Sequence, residues 1–422
     1  MKDLGKHVQR IYLLLTLLST LAASFIWGIN TLFLLDAGLN NAEAFAANAF
    51  FTAGMVIFEV PTGVIADTWG RRTSYLLGAA TLLLSTLLYL AMWQAQAPLW
   101  GWAISSILIG LGFTFFSGAT EAWLVDALAA SGVKENLESV LAKGQVVGGG
   151  AMLTGSVAGG FIAQVTDLGV PYIIRSVLLG LTLVAAFLWM KDLGFTPDRT
   201  KGALAEMRRV VRESLDSGWR NPPVRWLMLA AFCAGGVDIF AFYALQPYLL
   251  ELYGDPGAFG IAGLAAAIVA GTEMVAGFMV PRLRHLFSRR THALILTSLI
   301  ATGCLALLGW TSSFAVAIVL LVIWGLTFSI GMPIRQAYIN GIIPSQQRAT
   351  VLSFDSLMGS AGGVIAQPAL GRVADVGGYS RAYLVSAAIQ LAAVPFLALA
   401  RRENATSDRI EEEEAEGAKG RA

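Results

Sequence analysis

The stretch Gly63-Val64-Ile65-Ala66-Asp67-Thr68-Trp69-Gly70-Arg71-Arg72 decides how the rest of the chain is read. It joins two apolar runs, 44–66 and 74–95. Each is long enough to cross a bilayer, since about 20 apolar residues span the hydrocarbon. The connection is too short to be a domain. Asp67 is placed to cap the next helix or to pair with Arg71, and Gly70 can take a backbone angle closed to other residues. Two arginines at the end of the stretch mark the cytoplasmic face of a membrane protein.

Composition supports that class. A length of 422 residues alone suggests two or three soluble domains. The chain is instead 56% hydrophobic and 14% charged, with mean hydropathy +0.66, where soluble domains carry about 25% charged residues. The net charge of +1 carries no nucleic-acid footprint. Cys233 and Cys304 both lie in apolar runs, so no disulfide framework is indicated. Bases precede the first apolar run and no clear cleavage site follows it, so that run is read as retained rather than as a signal peptide.

Twelve spans are expected, at 11–35, 44–66, 74–95, 99–127, 140–164, 169–190, 225–251, 258–281, 291–311, 313–342, 349–371 and 380–400. An even number puts both termini on one side. With the termini inside, only Arg372 and Arg381 of the 29 Lys and Arg residues fall in outer loops. That asymmetry makes the termini cytoplasmic. The expected organisation is an N-terminal six-helix lobe over 1–190, a linker over 191–224, a C-terminal six-helix lobe over 225–402, and a disordered tail over 403–422. Leu204, Met207, Val211 and Leu215 in the linker have helical spacing, which fits either an amphipathic helix on the membrane surface or a solvated linker helix.

The halves repeat each other. Gly112-Phe113-Thr114-Phe115 followed by Gly118 in span 4 matches Gly325-Leu326-Thr327-Phe328 followed by Gly331 in span 10. Leu34-Leu35-Asp36 matches Leu249-Leu250-Glu251. Val140-Leu141 and Tyr172 align with Val351-Leu352 and Tyr383 at one constant offset. Pro61 and Pro281 are read as closing spans 2 and 8. A parallel repeat of six plus six is how one class of two-lobed transporter is built, with the substrate site at the midplane.

The opening stretch also resembles the signature G-x-x-x-D-[RK]-x-G-R-[RK] that the major facilitator superfamily carries between its second and third helices. Gly63, Asp67, Gly70, Arg71 and Arg72 match, and Thr68 stands where the family has a base. The resemblance covers residues 10–400 and implies an all-α membrane protein with twelve transmembrane helices in two lobes. It implies an inner gate made of Gly63, Asp67, Gly70, Arg71, Arg72 and Asp126, in which the arginine joins two acids when the carrier faces outward. Simple capping by Asp126 is the alternative. In span 5, Gly155, Gly159 and Gly160 match the family's antiporter motif, while Ser156 replaces its proline and Ala151 its first glycine. Small residues there also let helices pack closely. Ser106 stands where many drug/proton antiporters have an arginine.

Ionisable groups within spans are rare and usually face a cavity or a partner. Asp238 and Glu273 lie near the middle of spans 7 and 8 and are the candidates for proton coupling, with a structural acid as the alternative. Arg335 with Asp355, and Glu59 with Lys143, are expected ion pairs. Arg175 is a candidate for an anionic substrate group or an outer brace. Asn30, Thr31, Tyr243 and Gln246 are polar, mid-span, and on the helices that line the cavity in the superfamily.

Enzyme motifs are absent: there is no Walker loop, no H-E-x-x-H and no G-x-S-x-G, and His7, His285 and His292 form no metal cluster. The expectation is a secondary active transporter without cofactor or metal, most like the drug/proton antiporter branch. It would export small apolar or amphipathic compounds, multidrug fashion, against protons, as a monomer in the inner (plasma) membrane. Uptake by proton symport, and a transport-inactive sensor with the same fold, are the alternatives. The partners are a small-molecule substrate, protons and the lipid bilayer, with no nucleic acid.

Overall fold

The computed structural model describes residues 2–131, 137–197, 208, 212, 218–283, 286–343 and 348–410. Among these the regular structure is helical, apart from one isolated antiparallel bridge between Arg289 and Arg409. The helices are α1 Lys2–Trp27, α2 Asn30–Asp36, α3 Asn41–Trp69, α4 Arg71–Gln94, α5 Leu99–Phe116, α6 Ala119–Ala130, α7 Leu137–Val165 and α8 Val170–Trp189. They continue as α9 Pro222–Tyr253, α10 Phe259–Leu283, α11 Arg290–Trp310, α12 Phe314–Asn340, α13 Arg348–Leu391 and α14 Ala393–Arg402.

Local chemistry explains several boundaries. Asn40 accepts from the Glu43 amide at 2.9 Å while Glu43 accepts from the Asn40 amide at 3.0 Å, a reciprocal cap that starts α3. Gly70 then breaks the chain with φ of 106°, and α4 begins at the next residue. Pro61, expected to close span 2, lies inside α3 instead. A membrane helix tolerates proline where neighbouring groups satisfy the freed carbonyl. α13 is broken at Gly378, where φ is 77° and ψ 168°.

Among the described residues, eleven stretches are long and apolar enough to cross a membrane. Most match single expected spans. The last, Val351–Arg402, has 52 residues and covers both of the last two. The amphipathic pattern at Leu204, Met207, Val211 and Leu215 lies outside the described residues.

The chain divides into two compact units, Met1–Met207 with Gly254–Ala267, and Arg208–Tyr253 with Ile268–Ala422. The first part of α10 is grouped with the first unit. In the first unit α1 packs along α7 and α8, α3 along α5, and α4 along α5 and α8. In the second, α9 packs along α13, and α11 along α12 and α13. Each unit has its own apolar core at the end where its third span begins. Val8, Tyr12, Tyr75, Trp123 and Leu124 form one, and Val224, Met228, Tyr338, Ile339 and Leu397 the other.

The repeat is visible in Tyr172 and Tyr383. Both are fully buried, and each gives its hydroxyl to the first span of its own unit. Tyr172 donates to Asn30 Oδ1 at 2.9 Å, and Tyr383 to the Ala241 carbonyl at 2.8 Å.

Candidate functional site

The α3–α4 junction assembles the charged residues of the opening stretch. Arg71 Nη1 donates to Asp67 Oδ1 at 2.7 Å, and its Nε lies 3.9 Å from Asp126 Oδ2 on α6. The first contact is a charge-assisted hydrogen bond, while the second is an ion pair too long to be one. The guanidinium also lies 5.8 Å from the Phe195 ring centroid. Arg72 points elsewhere: its Nη2 donates to the Phe187 carbonyl at 2.7 Å. Gly63 lies exposed on α3, and a Cβ there would meet nothing within 4 Å.

A residue that the sequence did not single out completes the junction. Asp192 accepts the backbone N–H of Arg72 at 2.8 Å, at the start of α4. A Cβ on Gly70 would collide with that carboxylate, so Gly70 is required twice, for its backbone angle and for its lack of a side chain. The segment carrying Asp192 is fixed by Trp123, whose Nε1 donates to the Lys191 carbonyl at 2.7 Å. Residues 191–197, assigned to the linker from sequence, are therefore packed onto the first unit.

The glycines of span 5 mark a close helix crossing. A Cβ on Gly155 would overlap the Ser24 hydroxyl, and one on Gly159 the Phe25 carbonyl, both on α1. A Cβ on Gly160 would lie 2.9 Å from Gly263 Cα, at the start of α10. Ser24 Oγ donates to the Ala151 carbonyl at 3.1 Å across the same crossing.

The polar residues proposed for the cavity are engaged in packing or networks. Asn30 Nδ2 donates to Asn48 Oδ1 at 2.8 Å and its Oδ1 accepts from Tyr172, so its amide bridges α3 and α8. Thr31 and Gln246 are buried, and half-buried Tyr243 packs edge-on against Phe242. Arg175 is 2% exposed. It donates to Thr86 Oγ1 at 3.0 Å and to the Ala22 carbonyl at 3.1 Å, beside the Phe113 ring. These contacts tie α8 to α1, α4 and α5.

In the second unit Asp238 is half-buried on α9 and Glu273 is exposed on α10. Among the described residues no hydrogen bond or ion pair holds either carboxylate, and none links one to the other. Arg335 and Asp355 form the expected ion pair, through both guanidinium nitrogens, and Arg335 also donates to the Leu227 carbonyl at 3.2 Å. The other expected pair does not form. Glu59 accepts from Ser117 Oγ at 2.8 Å, and Lys143 is exposed.

The first part of the supposed tail is also ordered. Asp408, 1% exposed, accepts from the backbone N–H of Thr291 at 2.8 Å and from its hydroxyl at 2.9 Å. Arg290 donates to the Ser407 carbonyl, Ser407 to the Tyr338 carbonyl, and Trp226 to Glu403. Charge and small residues suggested disorder from 403 onward. These buried hydrogen bonds give residues 403–410 a fixed place, and 411–422 lie outside the described residues.

The apolar helices make this a multi-pass membrane protein. The family model of the Major Facilitator Superfamily matches residues 12–333 and 260–421, and the chain belongs to that family. It is a transporter and not an enzyme. Its fold is similar to three solved transporters. The nucleoside transporter NupG aligns with TM-score 0.77 at 10% identity, covering 94% of this chain and 99% of that one. A D-xylose-proton symporter aligns with TM-score 0.64 at 16% identity, covering 93% and 96%. The POT family transporter PepTSo aligns with TM-score 0.70 at 13% identity, covering 94% and 98%. No protein of curated function matches the chain.

Proposed function

We propose that the chain exports small apolar or amphipathic compounds in exchange for protons, by alternating access. One observation carries the coupling. Asp238 stands mid-helix in α9, and among the described residues no base and no donor holds its carboxylate. A proton-driven carrier needs a group that binds a proton in one state and releases it in another. An acid within a span and free of a fixed partner is that kind of group. Glu273, equally unheld on α10, is the second candidate.

The Arg71, Asp67 and Asp126 cluster supports a gate at the inner ends of the helices, and it argues against a sensor that has lost transport. The 52 residues of Val351–Arg402 are read as two crossings, which makes twelve. At 1.5 Å per residue they extend about 78 Å, more than twice the roughly 30 Å of hydrocarbon, and they break at Gly378. The distribution of Lys and Arg supports cytoplasmic termini, in the inner (plasma) membrane. The reading needs one chain, with protons, lipid and a small molecule as its partners.

Uptake by proton symport is the second reading. Ser156 in place of the antiporter proline favours it, and one solved structure of similar fold is named a proton symporter. Flux into and out of proteoliposomes, with a proton gradient imposed in either direction, separates the readings. Accumulation opposite to proton flow supports export, and accumulation with it supports uptake. Gradient-independent flux of every compound tried would remove proton coupling.

A further inference from the structure

We propose that Asp192 and Asp408 are matching positioning residues, one in each unit, that seat the start of the unit's third span and with it a pair of arginines. The proposal rests on the inner gate described above and extends it to the second unit. It begins with a repeat. Arg71-Arg72-Thr73, which opens α4, recurs as Arg289-Arg290-Thr291, set one residue earlier against its helix so that Arg289 precedes α11. In both helices it is the second residue, Arg72 or Thr291, whose amide is capped. In the first copy the N–H of Arg72 goes to Asp192 at 2.8 Å, and in the second the N–H of Thr291 goes to Asp408 at 2.8 Å. Each acid is carried by the segment that follows the sixth expected span of its half of the sequence, 191–197 in one and 403–410 in the other.

The chemistry of a helix start explains the need. The first amides of a helix have no acceptor within it, and the positive end of the dipole favours a carboxylate. A cap normally comes from the residue just before the helix. Here Gly70 has no side chain, and Arg289 makes no capping bond. Both helices take a distant aspartate instead.

The units differ in what they do with the arginines. In the first, Arg71 is left to Asp67 and Asp126. In the second, the register that pairs Gly112 with Gly325 puts Ile339 opposite Asp126, so no acid stands there. The C-terminal segment supplies the partners. Arg289 donates to Asn404 Oδ1 at 2.9 Å and lies 3.7 Å from Asp408, while the buried Arg290 is bonded to the Ser407 carbonyl. Asp408 therefore does two things: it caps α11 and it balances Arg289. Residues 403–410 are a working part of the inner end of the second unit.

The test uses full-length protein in lipid nanodiscs and needs no substrate. Asp408→Ala should speed hydrogen exchange at the Thr291 amide about tenfold, the size of a lost cap. It should also shift the distribution of distances between spin labels on the inner ends of the helices. Asp192→Ala should do the same at the Arg72 amide. Asp408→Asn keeps an acceptor for the amide but loses the charge. It should leave Thr291 protected and still shift the distances, and it stands in if the alanine variant does not fold. Unchanged exchange in the alanine variant overturns the proposal. Faster exchange with unmoved distances, while Arg71→Ala moves them, reduces Asp408 to a cap and also overturns it. If Arg71→Ala moves nothing either, the inner-gate reading fails and the proposal fails with it.

Discussion

Arg335 on α12 holds Asp355 on α13 with two nitrogens of its guanidinium, one on each carboxylate oxygen. Asp355 is 6% exposed. Removing one partner of a buried pair strands the other charge, which costs about 3–5 kcal/mol. Asp355→Ala should therefore lower the melting temperature of the purified protein sharply. Replacing both residues with leucine should cost less, because no charge is then stranded. A melting temperature for Asp355→Ala equal to that of the native chain would mean that the pair does not form.

Arg71→Ala should move the resting population toward the inward-facing state. Arg71 reaches both Asp67 and Asp126, so its loss weakens the tie between α6 and the α3–α4 junction. Distances between labels at the inner ends of the two lobes should lengthen. A lysine cannot reproduce the planar fork that serves two carboxylates, so Arg71→Lys should rescue only in part. Identical distance distributions in the native and alanine proteins would take Arg71 out of the gate.

Asp238→Asn and Glu273→Gln both mimic a permanently protonated acid at nearly constant size. At least one of them should still bind substrate yet fail to transport it uphill. Binding is read by substrate-induced thermal shift, and transport by flux under an imposed proton gradient. If both variants keep full gradient-driven transport, the coupling group lies elsewhere.

Gly159→Leu should destabilise the first unit by about 1–3 kcal/mol, the usual cost of overpacking. The side chain would have to displace the Phe25 backbone of α1. Gly150→Ala is the control on the same helix, since its Cβ would meet nothing within 4 Å. Thermal unfolding of the two variants side by side decides the point. Equal stability would mean that α1 and α7 are not closely packed at Gly159.

What could be read in advance follows from how scarce charge is inside a membrane. Arg335 and Asp355 were paired from sequence because each is costly alone in a span. The Asp67–Arg71 contact was legible because the connection between the two spans is so short that the two side chains cannot lie far apart. Glu59 went instead to Ser117, a nearby hydroxyl that a search for opposite charges passes over. Asp192 and Asp408 were missed for a different reason. Each caps a helix more than a hundred residues earlier, and a local reading looks for a cap just before the helix. The recurrence of Arg-Arg-Thr was the available signal.

Those long separations also set an order of events. The carboxylate that seats α4 is made 120 residues after Arg72, and the one that seats α11 is made 117 residues after Thr291. Chains fold from the N-terminus as they are synthesised. Each third helix therefore enters the bilayer with its leading amides still bonded to water, and it stays so until three more spans have been made. Each of these two helix starts is fastened by a segment made long after it. A nascent chain stalled before Asp408 would hold a finished first unit and an unlatched second one.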